Sequence, residues 1–417
     1  MDRRVLVVGG GVVGLCAAYY ASRRGLRVTV VERGALDDAS CSFGNAGMIV
    51  PSHIVPMAAP GMMAAGLRYL FDSESPFYVR PRPSLDLLLW GFRFWRAANA
   101  RQVARAAPVL RDLHRESRAL FEELDRDLGG IGLVERGLLS LCRTAHGLAE
   151  EARAAAFARS LGMPAEVLTP AEVQALEPDV RIDVAGGVRW PLDAHLVPSR
   201  LMAGLRRALA DASVPVVYGA EVTGWRVENG RVTAVATSAG PFDADEFVLA
   251  AGVWSAPVAR DLGLALPMQA GKGYSLTLPD APHLPRHCAL LSEARVAVTP
   301  MDGALRIGGT LELCGIDTRV DAARVRGILK ALPQYLPDLA AADFERLPVW
   351  CGLRPCPPDG LPYLGRSRRL GNVAVAAGHS MMGVSLAPVT GRLLAEILSG
   401  EPPSIDVTVL DPDRYGR

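Results

Sequence analysis

The feature that most constrains this chain is a run of glycines between two predicted strands at the N-terminus. A β-branched run over 4–8 leads into Gly9-Gly10-Gly11-Val12-Val13-Gly14, a helical stretch over 15–24 follows, and a second strand over 28–32 ends the unit. In such a G-x-G-x-x-G turn, the first glycine allows the tight turn, the second lets amides approach a pyrophosphate, and the third lets the helix pack on the strand. The pattern predicts a Rossmann-like dinucleotide-binding unit.

Two residues after this turn bear on which dinucleotide binds. Glu32 ends the second strand, eighteen residues beyond Gly14, where its carboxylate can accept hydrogen bonds from ribose hydroxyls. The same carboxylate would repel a 2′-phosphate, which disfavours NADP, and Arg33 beside it is assigned to the same site. FAD and NAD both fit this segment, because both carry an ADP half that docks in the same way.

A segment of small polar residues follows soon after the second strand. Ser40-Cys41-Ser42-Phe43-Gly44-Asn45-Ala46-Gly47-Met48 offers hydroxyl, amide and bare backbone groups, which suit a long, polar cofactor. An extended FAD would leave its second phosphate near Ser42 and lay its flavin along Asn45, Ala46, Gly47 and Met48. The alternative is a surface loop without a ligand.

A second strand-turn-helix lies near the C-terminus. A strand over 373–377 runs into Gly378-His379-Ser380-Met381-Met382-Gly383, which opens a helix over 384–398. A helix N-terminus directed at the flavin N1 and C2 carbonyl would stabilise negative charge on the reduced ring, which an NAD enzyme does not need. The candidate cofactor residues here are Gly378, His379, Met381, Met382 and Gly383. A structural capping role explains His379 equally well.

Composition excludes several classes of protein. The 417 residues are 50% hydrophobic and carry a formal net charge of +1, which excludes disorder and gives no electrostatic footprint for DNA or RNA. Seven cysteines without a repeated spacing predict neither a disulfide framework nor a metal site. No run reaches about 18 uninterrupted apolar residues, so no transmembrane helix is expected and the expected location is the cytoplasm.

Three further motifs extend the pattern from residue 5 to about residue 399. They are Gly271-Lys272-Gly273-Tyr274-Ser275, Gly352-Leu353-Arg354-Pro355 and Pro358-Asp359-Gly360-Leu361-Pro362. Together with the glycine-rich segments, they resemble the D-amino acid oxidase (DAO) superfamily of FAD-dependent oxidoreductases. Within it, the resemblance is closest to the D-amino acid dehydrogenase small-subunit and D-hydroxyproline dehydrogenase group, because the last two motifs are characteristic of members that act on small amino acids.

The resemblance implies a mixed α/β (α+β) fold of the DAO and glutathione-reductase type. A Rossmann-like FAD-binding domain would be built from the discontinuous segments 1–85, 150–255 and 345–417, and an antiparallel-sheet substrate domain from 86–149 and 256–344. Val222, Ala251 and Gly252 would line the ADP half. FAD would bind non-covalently, because the position of the flavin-linking Cys in sarcosine oxidases corresponds to Gly352, beside Cys351.

The resemblance also implies which residues bind the substrate. Arg354 would hold the carboxylate through two parallel hydrogen bonds and so fix the Cα–H direction. Tyr274 is a second carboxylate or lid contact and His53 a wall of the pocket above the flavin, although a buried Tyr and a capping His explain them almost as well. The Met381-Met382-Gly383 sequence is less polar than in typical D-alanine-type dehydrogenases, so D-proline and cis-4-hydroxy-D-proline become candidate substrates.

The implied reaction is oxidation of a D-amino acid to the imino acid by hydride transfer from Cα to flavin N5, with no side chain assigned as a base. A quinone or another acceptor would take the electrons. The alternatives are an oxidase of the glycine or sarcosine type that uses O₂, and a flavin-binding subunit of a larger complex. A flavin domain of an RNA-modifying enzyme is disfavoured, because the chain has no basic tract.

A helix predicted over 85–120 begins with an apolar, aromatic stretch at 85–96 that is flanked by arginines. One interpretation is a peripheral contact with the inner face of the plasma membrane, near quinones. The commoner cause of such a stretch is an amphipathic core helix. The oligomeric state is not readable from these residues.

Overall fold

The computed structural model describes residues 3–36, 40–68 and 74–416. Its helices are α1 (Val12–Arg23), α2 (Met62–Arg68), α3 (Leu85–Ala97), α4 (Ala100–Asp127), α5 (Ala145–Ser160), α6 (Pro170–Leu176), α7 (Pro198–Asp211), α8 (Ser255–Arg260), α9 (Ala322–Tyr335) and α10 (Gly383–Ser399). Its strands are β1 (Arg4–Val8), β2 (Arg27–Val31), β3 (Met48–Ile49), β4 (Phe77–Val79), β5 (Leu138–Cys142), β6 (Glu166–Leu168), β7 (Gly186–Trp190), β8 (Ala194–His195), β9 (Val216–Val217), β10 (Val222–Glu228), β11 (Arg231–Thr237), β12 (Gly240–Asp243), β13 (Glu246–Leu249), β14 (Gln269–Leu278), β15 (Cys288–Leu291), β16 (Val296–Met301), β17 (Ala304–Leu313), β18 (Trp350–Cys356), β19 (Tyr363–Arg366) and β20 (Val373–Ala377).

Six strands form the first large sheet, in the order β19-β20-β13-β1-β2-β9. Their pairing is parallel apart from β19, which runs antiparallel to β20. Strands β1 and β20 are almost wholly buried runs of apolar residues, as expected where helices or other layers cover both faces of a parallel sheet. Helices α1 and α10 pack against each other, and their apolar residues share one core with this sheet.

Helix α10, with the 3-10 turn before it, is the one helix among the described residues that is long and apolar enough to cross a bilayer. It spans Ser380–Ser399, and 78% of its most apolar window is buried inside the fold. Its apolar composition is therefore explained by its position in the core.

Nine strands form the second large sheet, in the order β18-β14-β17-β16-β15-β5-β7-β6, with β4 paired to β17. Most neighbours are antiparallel, whereas β5 with β15 and β4 with β17 are parallel. Ile328 and Leu332 of helix α9 belong to the same hydrophobic core as Val298 and Ile307 of this sheet. Two small sheets, β10-β11-β12 and β3-β8, complete the described structure.

The sheet membership of several elements differs from the predicted domain division. Strands β4, β6 and β7 fall in segments assigned to the FAD-binding domain, yet they lie in the nine-stranded sheet. Helix α4 falls in the predicted substrate segment 86–149, yet its Leu110 and Phe121 belong to the core of the six-stranded sheet. Local periodicity shows that such segments are amphipathic but not which sheet they cover.

The prediction of one continuous helix over 85–120 is wrong in one respect, because the structure divides this segment into α3 and α4. Asn99 lies between them with an extended backbone, and its side chain accepts a hydrogen bond from the Gln102 amide at 3.0 Å. Asn is a favoured N-cap residue, since its side-chain oxygen satisfies an amide that has no partner within the helix. The cap therefore fixes a new helix start.

Candidate active site

A cavity of about 1290 Å³ is lined by residues of both large sheets and of the loops that connect them. The predicted residues in its wall are Gly9, Gly11, Val12, Val13, Glu32, Arg33, Ser42, Asn45, Ala46, Gly47, Met48, His53, Val222, Ala251, Gly252, Tyr274, Arg354, Gly378, His379, Met381 and Gly383. Two predicted residues, Gly14 and Met382, do not line it. The fold therefore brings segments from both ends of the chain to one site.

The glycine-rich turn at one end of the cavity has no room for side chains. Gly9 has a φ of +115°, and a Cβ there would lie 2.5 Å from the Ala250 carbonyl oxygen. A Cβ on Gly14 would lie 1.9 Å from the Gly9 carbonyl oxygen, so Gly14 acts in helix packing rather than at the cavity wall. Helix α1 begins at Val12, so amides of its first turn have no partner within the helix and can bind an anion.

Glu32 lies at the end of β2 and is held by backbone amides. Its two carboxylate oxygens accept hydrogen bonds from the Gly10 amide at 2.6 Å and the Gly34 amide at 2.9 Å. Next to it, the Arg33 guanidinium lies 3.6 Å from the ring centroid of Trp254, a cation–π contact, and both side chains line the cavity. Trp254 was missed in the sequence because a lone Trp before a short helix carries no motif.

The segment over 42–47 is held between the two large sheets. The Ser42 hydroxyl accepts a hydrogen bond from the Val12 amide at 3.0 Å, on the side of the six-stranded sheet. On the other side, Arg306 donates to the carbonyls of Phe43 and Asn45, at 3.1 and 2.9 Å. The Asn45 side chain closes the turn by accepting from the Gly47 amide at 2.7 Å. The segment is thus a built wall of the cavity and not a free surface loop.

An indole covers this wall from the nine-stranded sheet. A Cβ on Gly44 or on Gly352 would lie within 2.0 or 2.1 Å of the Trp350 ring, so both positions require glycine. Among the described residues, the buried Nε1 of Trp350 finds no hydrogen-bond partner. A buried donor without a partner is costly to keep in the fold.

The C-terminal turn contributes backbone and one exposed side chain. Gly378 has a φ of +78°, and the Met381 side chain is 55% exposed at the cavity. The His379 imidazole bonds to the Thr390 hydroxyl at 3.0 Å, and burial lowers its pKa to about 4, which fits the structural role considered above. Met382 is buried instead, with its sulfur 3.3 Å from His114 Nε2.

Arg354 projects from β18 into a space that two glycines leave open. It lies opposite Gly271 in the sheet, and a Cβ on Gly273 would lie 2.3 Å from its guanidinium. The guanidinium donates one hydrogen bond, at 2.7 Å, to the Thr310 carbonyl. The other guanidinium N–H groups find no protein acceptor among the described residues, which leaves donors for an anionic ligand.

Thr310 itself has an unusual backbone. Its φ is +70°, in the left-handed region that β-branched residues avoid. It lies in β17 where the register against β14 shifts by one residue between Lys272 and Tyr274, so the strained residue is part of a bulge. Such strain persists only where the surroundings impose it, and it concentrates at functional sites.

The Tyr274 hydroxyl is already engaged behind the cavity wall. It donates to Glu312 at 2.9 Å and accepts from the Asp321 amide at 3.2 Å. Glu312 also pairs with Lys272 at 3.2 Å, with both side chains fully buried. The Tyr274 ring lines the cavity, but its hydroxyl belongs to this buried network, so a direct contact with a substrate carboxylate stays a prediction.

His53 lines the cavity, and a serine and a buried aspartate hold its ring. Burial and the charge of Arg295, which also lines the cavity, lower the pKa of His53 to about 4. The His53 Nδ1 lies 3.2 Å from the Ser52 hydroxyl, and that hydroxyl donates to Asp193 at 2.5 Å. Sequence reasoning found His53 but missed Ser52 and Asp193, because they are far apart in the chain.

These features test whether the site fits FAD. The side-chain-free turn at Gly9, the anchored carboxylate of Glu32 and the built wall over 42–47 all line one cavity. Burial raises the pKa of Cys351 to about 11, so this thiol is not an activated nucleophile, in keeping with the non-covalent attachment expected from the sequence. The residues present fit FAD.

A Rossmann-type sheet that shares one cavity with a largely antiparallel sheet defines a two-part flavoprotein oxidoreductase. Comparison with known families agrees: the chain matches the DAO family, described as FAD dependent oxidoreductase, over residues 4–397. The chain belongs to this family. The predicted family, the mixed α/β fold, the FAD cofactor and the enzyme class are thereby confirmed.

Individual relatives are similar over nearly the whole chain. The chain is 35% identical to "D-amino acid dehydrogenase" from Granulibacter bethesdensis and 36% identical to that from Methylobacterium radiotolerans, in both cases over 99% of each chain. Among solved structures, glycine oxidase from Geobacillus kaustophilus matches with a TM-score of 0.79 and 28% identity over 99% of each chain. L-proline dehydrogenase from P. horikoshii, with a TM-score of 0.76 and 19% identity over 99% of this chain and 98% of its own, shares the fold.

Proposed function

We propose that this protein is an FAD-dependent dehydrogenase that oxidises a D-amino acid to the imino acid. The observation that carries the proposal is Arg354, whose guanidinium lines the cavity with donors left over beside its single hydrogen bond to Thr310. A planar guanidinium with free parallel N–H groups is suited to a carboxylate. The similarity to proteins named D-amino acid dehydrogenase supports the stereochemistry.

FAD, when bound, supplies the hydride acceptor at flavin N5. The chain's own residues orient the substrate: Arg354 holds the carboxylate and so restricts the direction of the Cα–H bond. Such orientation can lower the activation barrier of hydride transfer by several kcal/mol, because the substrate loses its rotational freedom on binding and not in the transition state. The first turn of α10, which begins at Gly383 beside the cavity, favours negative charge on a neighbouring group.

D-Proline and cis-4-hydroxy-D-proline are the proposed substrates. Apolar side chains of Val55, Leu290 and Met381 line the cavity together with His53 and Arg295. Apolar walls suit the methylene groups of a pyrrolidine ring, while the Arg295 guanidinium offers a partner for a ring hydroxyl. This mixture favours an amino acid with a small cyclic side chain over one with a charged side chain.

The competing function is an oxidase that passes electrons to O₂. The similarity to a glycine oxidase structure at 28% identity favours it. Anaerobic visible absorption titrations with D- and L-alanine, D- and L-proline, D- and L-4-hydroxyproline, glycine and sarcosine test the substrate. Bleaching of the flavin by D-proline or hydroxy-D-proline supports the proposal, and bleaching by glycine or sarcosine alone overturns it. Aeration then separates the functions, because an oxidase recovers its colour rapidly in air and a dehydrogenase does so only with a quinone.

We also propose a peripheral contact with the inner face of the plasma membrane, where a quinone would take the electrons. The face of α3 that points away from the core carries Leu85, Leu88, Phe92 and Trp95, which are 54–70% exposed. The Arg96 guanidinium lies 6.0 Å from the Phe92 ring centroid. Large apolar and aromatic side chains with a cation beside them are typical of a helix that rests in a lipid interface.

Co-sedimentation with vesicles of phosphatidylglycerol and phosphatidylcholine tests this contact. The Leu88→Ser/Trp95→Ser variant is expected to stay in the supernatant, while the Val167→Ser/Val227→Ser variant should pellet like the unaltered protein. Val167 and Val227 are both 44% exposed but lie in other elements, which makes them a matched control. Equal pelleting of the α3 variant and the control would contradict the contact.

A further inference from the structure

A hydrogen-bonded chain of three side chains runs from the cavity wall and ends at a buried carboxylate. His53 lines the cavity, its Nδ1 lies 3.2 Å from the Ser52 hydroxyl, and the Ser52 hydroxyl donates to Asp193 Oδ2 at 2.5 Å. Asp193 is only 1% exposed, and its second oxygen accepts from the Ser52 amide at 2.9 Å. A buried carboxylate is costly to keep in the fold, so its position behind a cavity residue indicates a role at the cavity.

The small β3-β8 sheet fixes this arrangement. Ile49 of β3 pairs with Ala194 of β8, and Asp193 immediately precedes β8. Beyond β3 the chain turns sharply, with the His53 amide bonded to the Val50 carbonyl at 3.0 Å. Ser52 and Asp193 are therefore brought together by strand pairing between segments that are more than a hundred positions apart in the sequence.

The direction of each hydrogen bond follows from the number of protons. A serine hydroxyl has one proton to donate, and Ser52 gives it to Asp193. The Ser52 oxygen can then only accept from His53, which places the imidazole proton on Nδ1 and leaves Nε2 with its lone pair. A carboxylate that selects one tautomer of a histidine in this way is a known device.

We propose that His53 Nε2 accepts a hydrogen bond from the amino group of the substrate, and that Ser52 and Asp193 are positioning residues that hold the required tautomer. The proposal rests on the proposed function, since it assumes a substrate with an N–H group. With Arg354 holding the carboxylate, an acceptor for the amine fixes a second point of the substrate. Two fixed points restrict rotation about the Cα–carboxylate bond, which a single guanidinium does not.

The charges around the imidazole agree with a neutral acceptor. Burial, with the charge of Arg295 beside it, lowers the pKa of His53, and burial, with a smaller contribution from His53, lowers the pKa of His114 to about 3. Burial raises the pKa of Asp193 to about 7, against the opposing effect of the hydrogen bonds from Ser52 and the charge of Arg118. Above pH 7, therefore, Asp193 is a carboxylate that can accept from Ser52 while His53 is uncharged.

The test is the variant Asp193→Asn, which keeps the shape but reverses the hydrogen bonds. The Asn amide would donate to Ser52, Ser52 would donate to His53 Nδ1, and the imidazole proton would move to Nε2. Nitrogen-15 NMR of the histidine rings in the holoenzyme at pH 8, with His53→Gln for assignment, should show the Nδ1–H form of His53 in the unaltered protein and the Nε2–H form in the variant. The control Asp338→Asn removes a carboxylate that accepts from the Arg181 amide at 2.9 Å and lies outside the cavity, and it should leave His53 unchanged.

Binding of two ligands of the same shape provides a second readout. D-Proline donates an N–H, whereas (R)-tetrahydrofuran-2-carboxylate offers an oxygen acceptor at the same position. Because D-proline reduces the flavin, its affinity is compared as KM in turnover with the competitive inhibition constant of the ether, and the unaltered protein should favour D-proline. The preference should shift toward the ether by about 10-fold or more in Asp193→Asn, the ratio that corresponds to about 1.4 kcal/mol. A purely structural role would weaken both ligands equally.

Other outcomes separate the two proposals. An Nε2–H tautomer in the unaltered protein, or an unchanged ligand preference in Asp193→Asn, would overturn the role of His53. Should that variant fail to fold, Ser52→Ala breaks the chain without reversing it and should reduce the preference for D-proline without inverting it. If no amino acid bleaches the flavin while the Nδ1–H tautomer is found, the proposed function fails and the hydrogen-bond chain stands.

Discussion

The two ends of the cavity are built in different ways. The nucleotide end is built mainly on the N-terminal stretch from the turn at Gly9 to Glu32, joined by Ala251 and Trp254, and it presents a backbone turn without side chains. The substrate end combines His53, Thr310 and Arg354, which come from separate strands and loops. Backbone recognition depends on what side chains are absent, whereas substrate recognition depends on where particular side chains are held. The nucleotide end should therefore tolerate no added atoms, and the substrate end should be sensitive to lost or redirected donors.

The largest effect is expected at the nucleotide end, from Gly14→Ala. A Cβ there would lie 1.9 Å from the Gly9 carbonyl oxygen, which is backbone and has no room to move. We expect a loss of roughly 3–5 kcal/mol in the free energy of unfolding, as for other severe overpacking changes, together with loss of bound FAD. Thermal unfolding with excess FAD and the flavin content after purification would measure both.

Gly91→Ala is the matched control for this prediction. Gly91 lies within α3 with nothing within 4 Å of the added Cβ, so the same substitution should leave FAD content unchanged. A Gly14→Ala protein with normal flavin content and stability would show that the turn is not as close-packed as described.

At the substrate end, Arg354→Ala should reduce kcat/KM by about 10²–10³-fold, which corresponds to about 3–4 kcal/mol for a lost charge-assisted contact. FAD content should stay normal, because the variant leaves the nucleotide end intact. Steady-state kinetics with the substrate identified by titration would measure the effect. Arg326→Ala, at an exposed position on α9, is the control. Unchanged kinetics in Arg354→Ala would remove the carboxylate assignment.

Relative to the unaltered protein, the Asp193→Asn variant, which also changes the ligand preference, should become more stable as the pH rises. Burial raises the pKa of Asp193 to about 7, whereas the unfolded chain releases this proton near pH 4. The folded protein thus keeps this proton to a higher pH than the unfolded chain does. The free energy of unfolding of the unaltered protein therefore falls between about pH 4 and pH 7 and stays lower above pH 7. Without this group, the variant should be more stable than the unaltered protein above pH 7 by about 4 kcal/mol. Urea unfolding at pH 5 and pH 8 would measure it; a variant that is less stable at pH 8 would contradict the sign.

The smallest effect is expected from the strained backbone of Thr310. Asn tolerates a φ of +70° better than Thr does, so Thr310→Asn should relieve about 1 kcal/mol of strain. Thr310→Val keeps the β-branch and should give no such gain, which makes it the control. Thermal unfolding of both holoenzymes compares them, and equal stability of the two variants would argue against strain at this position.

The nucleotide end could be predicted because its signal is local. The positions of Gly9, Gly11 and Glu32 follow from steric and hydrogen-bonding needs that operate within some twenty-five residues, and all three line the cavity. The same reasoning assigned the third glycine, Gly14, to helix packing. Its close approach to the Gly9 carbonyl oxygen agrees with that assignment. Met382 was included by its place in a motif, but the turn into α10 directs it toward His114 in the core.

The substrate end was predicted only in part. Arg354 and His53 were identified through a resemblance, and both line the cavity. The engagement of the Tyr274 hydroxyl by Glu312 was not readable, since that contact depends on how β14 and β17 are aligned around a bulge. Nor was the bulge at Thr310, because nothing in the residue itself favours a left-handed backbone.

By itself, the sequence determined the dinucleotide turn and the acidic residue that follows it, because both depend on residue types at short, fixed spacings, whereas the Arg-containing motif was identified through a resemblance. Only the tertiary structure decided that Asp193 lies behind Ser52 and His53, that Trp254 and Trp350 join the cavity wall, and that α4 packs on α10 in the core beside the six-stranded sheet. These facts depend on strand pairing and core packing between distant segments. Such contacts are set by the free energy of the whole fold, which no local pattern records.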